Sequence, residues 1–170
     1  GRMNILHGIR DCTLLDDTYN ASPVAMEHSL KTLYSLEAKH KIAVLGDMNE
    51  LGGISEAEHK KIGKLCDPKQ LDLIITVGNL SKTYLAPAAE KNGCKVISFQ
   101  SAPEAGEFLK SSDIKDATIL FKGSQGGIYL EEAIKPLLKN PADRQKLVRQ
   151  SSNWQRIKAK FYDSLDQSQQ

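Results

Sequence analysis

Five short apolar runs, at residues 12–15, 42–45, 73–77, 96–99 and 118–121, recur along this chain, each followed by a polar cluster and then by apolar residues at helical spacing. Continuous runs of this kind, rich in branched residues, mark strands buried on both faces of a parallel sheet. Strand and helix in strict alternation imply a mainly parallel α/β sheet with helices on both faces and right-handed crossovers. A further short strand is expected at residues 3–6, with His7-Gly8 as a turn. In open sheets of this class, ligands bind outside the carboxyl ends of the strands. The clusters Asp16-Asp17, Gly46-Asp47, Gly78-Asn79 and Lys122-Gly123-Ser124 all follow strands, so the fold is expected to gather them along one edge.

The first cluster opens onto a helix. Asn20 and Ser22 are candidate N-caps, and Pro23 suits a first turn, where its missing N–H costs nothing. Met26, Leu30 and Leu33 then form an apolar stripe. Asp16 reads equally well as a turn cap and as a ligand. Further along, Ser55 with Glu58 and Ser101 with Glu104 have the spacing of capping boxes. Ser81 is expected to cap a helix that Gly93 stops, with Pro87 tolerated near its start or kinking it. The glycine loop after Lys122 is expected to open a helix carrying Leu130, Ile134 and Leu137, which Pro136 ends or bends. Free N–H groups at such a helix start suit an anion, although the same residues also describe a plain turn. His59 has no second histidine at metal-binding spacing, which argues against a zinc helix.

At 170 residues, with 40% hydrophobic and 26% charged residues, the chain can bury a full core as a soluble domain. No apolar run approaches the roughly 20 residues that span a bilayer. No signal peptide is expected, because Gly1-Arg2-Met3 leads directly into polar sequence, and the opening at Gly1 reads as a domain cut. Cys12, Cys66 and Cys94 are odd in number and widely spaced, and read as buried thiols of a reducing compartment. A net charge of +2 gives little bulk attraction for nucleic acid. Beyond Asn140 the character changes: between Lys139 and Lys160, seven basic residues face a single acid, Asp143. This stretch reads as a helical or partly disordered extension with a solvated basic face, separate from a domain at residues 1–138, and the last four residues as disordered.

No Gly-x4-Gly-Lys-Ser/Thr loop and no Gly-x-Gly-x-x-Gly occurs, so the chain has no phosphate-binding or dinucleotide fingerprint. Other motifs do stand out. Asp16-Asp17-Thr18-Tyr19-Asn20-Ala21-Ser22-Pro23 resembles the D-D-S/T-Y-N-A-N-P motif of the Mur ligases that add D-Ala-D-Ala to a UDP-muramoyl tripeptide. Gly46-Asp47-Met48-Asn49-Glu50-Leu51-Gly52 resembles the G-D-M-x-E-L-G loop of that family, and Glu56-Ala57-Glu58-His59 its E-x-x-H. Ile75-Thr76-Val77-Gly78 and Phe121-Lys122-Gly123-Ser124 follow in the same order, and Gly1-Arg2-Met3 resembles the start of the family's C-terminal domain. The resemblance covers residues 1–138. Gln125 stands where the family often carries Arg, and Ser22 where it carries Asn.

The resemblance implies a Rossmann-like C-terminal domain that binds the incoming dipeptide and closes over the nucleotide in an ATP-dependent, Mg²⁺-dependent peptidoglycan-precursor ligase of the cytoplasm. In that family the tripeptide carboxylate becomes an acyl phosphate, which the amine of D-Ala-D-Ala attacks. It further implies that Arg2, Asp17, Tyr19 and Asn20 contact the nucleotide, and that Asp47, Glu50, Lys122, Gly123 and Ser124 face the dipeptide or the phosphate. Catalytic groups, metal ligands and the phosphate loop belong by this reading to a central ATPase domain of the full-length chain, so the isolated domain is expected to be inactive. Two other classes remain open at this point. One is a phospho-receiver domain with Asp47 as acceptor; the other is a nucleic-acid-binding module using the basic tail.

Overall fold

A computed structural model describes residues 3–168. Six strands form one sheet: β1 (Asn4–His7), β2 (Thr13–Asp17), β3 (His40–Gly46), β4 (Leu73–Val77), β5 (Val96–Phe99) and β6 (Ala117–Lys122), in the spatial order β1-β2-β6-β3-β4-β5. Every pairing is parallel except β1 with β2, which is antiparallel. The expected strands are therefore all present, and β6, last in sequence, lies at the middle of the sheet.

Alternation along each strand divides the core in two. On one face Leu15, Ala43, Leu45, Ile74 and Leu120 pack with Met26, Leu30 and Leu33 of α1 (Pro23–Ser35), Ile62 of α2 (Ser55–Leu65) and Ala89 of α3 (Ala86–Lys91). On the other, Leu14, Ile42, Val44, Ile75, Ile119 and Phe121 meet Ala102, Ala105 and Leu109 of α4 (Ala102–Ser111) and Ala133 and Ile134 of α5 (Glu131–Ile134). β3, β4 and β6 need two apolar sides because both are covered, which is why their sequence shows no polar alternation. Leu147, from beyond the last strand, joins the second cluster. Cys12, Cys66 and Cys94 are all free and buried. For Cys66, burial pushes the thiol up to about 12.

Helix starts follow the expected chemistry in two places. Ser22 caps α1, accepting from the Ala25 N–H at 3.2 Å with Pro23 in the first turn. Ser101 and Glu104 form their box, Glu104 accepting from the Ser101 N–H at 3.0 Å. Three other expectations are corrected. Ser55 caps nothing: a 3₁₀ turn at Gly52–Ile54 runs straight into α2, so Ser55 already has helical φ/ψ of −55° and −49°. Ser81 is inside its helix too, within a π-turn at Ser81–Leu85 that precedes α3. There the Ala86 N–H reaches the Ser81 carbonyl, and this wider turn admits Pro87, which has no N–H to give. The glycine loop opens no helix: residues after Ser124 form turns, and α5 begins only at Glu131 and passes at Pro136 into a 3₁₀ turn. The tail is structured, with a 3₁₀ turn at Pro141–Lys146 and a last helix, α6 (Ser152–Gln167); of the four final residues expected to be disordered, Gln167 ends this helix and Gln169 and Gln170 lie outside the described residues. No helix among the described residues is long and apolar enough to cross a membrane.

Candidate functional site

The parallel register sets Asp17 beside Lys122 at the carboxyl ends of β2 and β6. Their side chains meet: Lys122 Nζ lies 2.8 Å from Asp17 Oδ2 and donates to the Asn20 carbonyl at 3.0 Å. Ser29 of α1 donates to the same Asp17 oxygen at 2.6 Å. Both partners sit on Oδ2, so Oδ1 keeps its acceptor capacity. The pair is only 4% and 14% exposed at its side chains, which makes it a fixed element of the edge and not a pair of free surface charges. Asp16 points elsewhere. Its Oδ1 accepts from the Thr18 N–H at 3.1 Å and the Thr18 hydroxyl at 2.7 Å, closing the tight turn that launches the loop. Burial raises its pKa, against the pull of the Thr18 hydrogen bonds; the nearby Glu131 and Asp17 carboxylates raise it further.

At the next strand end, Asp47 is 6% exposed and its carboxylate accepts from two backbone donors, Leu80 N–H at 3.1 Å and Ser81 N–H at 2.6 Å. It is the cap that Ser81 does not supply, reached across the sheet from β3. Its own carbonyl accepts from the Ser124 N–H at 3.0 Å. Gly46 and Gly123 allow that approach: a Cβ on Gly46 would meet Ile128 at 2.6 Å and the Gly123 Cα at 3.2 Å. Asp17, Asp47, Asn79 and Lys122 thus line up along one edge, as the alternation predicts.

Asn49 and His59 complete the loop. Asn49 donates through its N–H to Ser124 Oγ at 2.7 Å and through its side chain to the Gly126 carbonyl at 2.6 Å. His59 is fully buried: Nδ1 lies 2.7 Å from the Ser55 carbonyl and Nε2 accepts from the Met48 N–H at 3.0 Å. That pair of contacts assigns the proton to Nδ1 and a neutral ring. The histidine of the E-x-x-H segment is therefore a brace for the Gly46–Gly52 loop.

Two clefts open here. One of about 390 Å³ is lined by Asp17, Tyr19, Asn20, His28, Ser29 and Lys122. The other, of about 650 Å³, is lined by Asn49, Glu50, Ser124, Gln125, Tyr129 and Trp154, among others. Residues 20–22 line both, so the clefts share a wall. Of the expected nucleotide contacts, Asp17, Tyr19 and Asn20 fall in the smaller cleft, while Arg2 lies outside the described residues. Of the expected substrate contacts, Glu50 and Ser124 fall in the larger one. Lys122 falls in the smaller cleft with Asp17. Asp47 and Gly123 lie behind the loops and shape them. Asn49, Tyr129 and Trp154 were not anticipated. Asn49 occupies the variable position of the G-D-M-x-E-L-G loop, and Trp154 comes from the tail.

The tail corrects a second expectation. Arg149 and Lys158 do not belong to a solvated basic face. Arg149 makes a two-pronged pair with the fully buried Glu131, Nε to Oε1 at 2.9 Å and Nη2 to Oε2 at 2.6 Å. Lys158 lies 2.8 Å from the same carboxylate and 2.5 Å from Glu132. Two of the seven tail cations are thus committed to buried carboxylates, while Lys139, Arg144, Lys146, Arg156 and Lys160 stay exposed. The receiver alternative fails, because both Asp47 carboxylate oxygens hold backbone N–H groups.

A buried acid–lysine pair and a braced G-D-M loop thus sit at the carboxyl edge of a six-stranded α/β sheet with one antiparallel edge strand. Residues 1–125 match the family profile described as Mur ligase, glutamate ligase domain, and the chain belongs to that family. It is 34% identical over 143 residues to the UDP-N-acetylmuramoyl-tripeptide–D-alanyl-D-alanine ligase of Bacillus subtilis, covering 82% of this chain and 31% of that protein. A crystal structure of MurF from Acinetobacter baumannii superposes with a TM-score of 0.66 at 30% identity, over 85% of this chain and 30% of that one. MurF from Thermotoga maritima in complex with ADP gives 0.63 at 28% identity, over 86% and 31%. The chain thus spans about a third of the length of these relatives.

Proposed function

We propose that this chain is the acceptor-binding and closure domain of a cytoplasmic, ATP-dependent ligase that joins D-Ala-D-Ala to UDP-N-acetylmuramoyl-tripeptide in peptidoglycan synthesis. The observation that carries the proposal is the shared wall at residues 20–22, with the Asp17–Lys122 cleft on one side and the Asn49–Ser124 cleft on the other. A condensation between a nucleotide-activated carboxylate and an incoming amine needs two such sites in contact.

On the nucleotide side the donor set fits. Asp17 Oδ1 is a fixed acceptor of the kind that suits paired sugar hydroxyls, and Tyr19, 54% exposed, offers an apolar ring beside it. Lys122, 2.8 Å from Asp17 Oδ2, holds that carboxylate in place. ATP, when bound, supplies the phosphoryl group that converts the donor carboxylate into a good electrophile. No group of three or more His, Cys, Asp or Glu residues that could hold a metal ion occurs among the described residues, and this reading assigns Mg²⁺ to the central domain of the full-length chain. On the acceptor side, Ser124 accepts from Asn49 and retains its O–H to donate. Glu50, exposed at the cleft mouth with φ at +66°, can receive the dipeptide ammonium before its proton is lost. Asp47 and Gly123 act as positioning residues for that loop. Closure of the domain would expel water from the labile acyl phosphate.

The test is steady-state ligation by the full-length polypeptide carrying this chain. Asp17→Asn should raise the ATP KM, and Ser124→Ala should raise the D-Ala-D-Ala KM about tenfold, the loss of one charge-assisted hydrogen bond. Phosphate release that does not depend on D-Ala-D-Ala would overturn the assignment.

A further inference from the structure

We propose that Arg149, which lies beyond the matched family profile, is a positioning residue for the nucleotide loop: its guanidinium holds the carbonyls of Thr18 and Tyr19, and so sets how Asp17, Tyr19 and Asn20 meet the nucleotide. The proposal rests on the functional reading above and adds a residue to it.

The geometry is specific. Arg149 Nη2 donates to the Thr18 carbonyl at 2.6 Å and Nη1 to the Tyr19 carbonyl at 3.1 Å. Nε and Nη2 also donate to Glu131, so one planar fork engages two loop carbonyls and one carboxylate. The guanidinium side chain is 4% exposed and Glu131 has no exposure at all. Arg149 adopts φ of +55°, an unfavourable backbone for a residue with a side chain, which persists only where surrounding contacts hold it. Lys158 Nζ lies 2.8 Å from Glu131 Oε1, the oxygen that also accepts from Arg149 Nε, and its hydrogen bond goes to Glu132 and not to the loop.

Each part has a reason. Residues 18–20 connect a strand end to a helix cap and lie over no helix of their own, so their carbonyls need donors from elsewhere. The Asn20 carbonyl is taken by Lys122 and those of Thr18 and Tyr19 by Arg149. All three are thus fixed by cations whose own positions are set by Asp17 and Glu131. Lysine could not replace the guanidinium, since a single ammonium cannot bridge a carboxylate and two carbonyls in one plane. Tyr19 and Asn20, both exposed, are left on a backbone that does not need to be ordered at the moment of binding.

Two variants separate positioning from simple stability. Arg149→Lys keeps a cation beside Glu131 but loses the two-carbonyl grip. Lys158→Met removes a cation from the same buried network and leaves the loop contacts alone. In the full-length polypeptide, both are expected to lower the melting temperature. Only Arg149→Lys should speed amide hydrogen exchange across residues 17–22, and only it should raise the ATP KM, about tenfold. If Arg149→Lys leaves exchange at residues 17–22 unchanged, or if Lys158→Met raises the ATP KM equally, the positioning role is overturned. Faster exchange with an unchanged ATP KM also overturns it. A wild-type polypeptide with no ATP-dependent ligation at all instead refutes the functional reading, and the exchange data still decide whether the grip exists.

Discussion

Replacing Asp47 with Asn tests the device that ties three strand ends together. The carboxylate offers one oxygen to the Ser81 N–H and the other to the Leu80 N–H, at the start of the helical run that leads into α3. An amide of the same shape has one acceptor oxygen. Its NH₂ must then face a buried N–H, donor against donor. One charge-assisted hydrogen bond is lost, worth roughly 1.5–3 kcal/mol. The negative charge at a helix start is lost as well, worth about 0.3–1 kcal/mol. Together Asp47→Asn should cost about 2–4 kcal/mol, which lowers the melting temperature of a domain of this size by roughly 4–16 °C. The substitution cannot relax by moving toward the next turn. Gly78 already has φ of +103° and its Cα lies so near Asp47 that an added Cβ would sit 2.5 Å from Oδ2. Thermal unfolding of the 170-residue chain at neutral pH, followed by circular dichroism, reads the effect. A variant that melts within about a degree of the parent would show that the carboxylate caps nothing.

Asp16 should behave in the opposite sense. Its pKa is raised in the fold, chiefly by burial, so the native state binds its proton more tightly than the unfolded chain does. Its ionisation is therefore a cost at neutral pH that disappears as pH falls through the raised value. Asp16→Asn keeps an oxygen for both Thr18 donors and should be at least as stable as the parent at pH 7, with the advantage shrinking on acidification; melting curves across that range showing a parent-favouring gap at pH 7 would contradict this. Gly63→Ala in α2 sets helix propensity against packing. Alanine gains about 1 kcal/mol of propensity, but its Cβ would lie within contact-forbidden range of the Leu85 carbonyl and 2.7 Å from the Ala88 Cβ. Overpacking at about 1–3 kcal/mol is expected to win, so urea titration should show a net loss, and a more stable variant would refute it.

The strands and the gathered edge were legible because each depends on a run of adjacent residues. Ile42 to Leu45 and Leu73 to Val77 have to be buried on both sides wherever they sit, and the polar residue that follows has to fall at the carboxyl end. Ser22-Pro23 and Ser101-Glu104 were legible for the same local reason. Ser55-Glu58 misled because the capping pattern says nothing about the turn before it, and Gly52–Ile54 is already helical enough to place Ser55 inside. Lys122-Gly123-Ser124 misled because a glycine loop after a strand looks alike whether it opens a helix or a series of turns. The tail was misread for a different reason. Counting charge treats Arg149 and Lys158 as solvated, and their partner Glu131 sits in a four-residue helix 18 residues or more away. The contact from Arg149 to Tyr19 spans 130 positions, a distance at which no periodicity carries information.

The strand order has a consequence for how the chain comes to be assembled on a ribosome. β2 and β3 do not touch in the sheet, because β6 lies between them. Until residues 117–122 have been synthesised, the nascent polypeptide can form only a β1-β2 hairpin and a separate β3-β4-β5 block. Each presents a bare strand edge facing the place that β6 will fill. Unpaired edges of this kind attract other chains, and long-range parallel pairing is slow to form. A polypeptide cut short before Ala117 would therefore hold two exposed edges with nothing to join them. The last strand to be made is the one that turns two aggregation-prone halves into a single sheet.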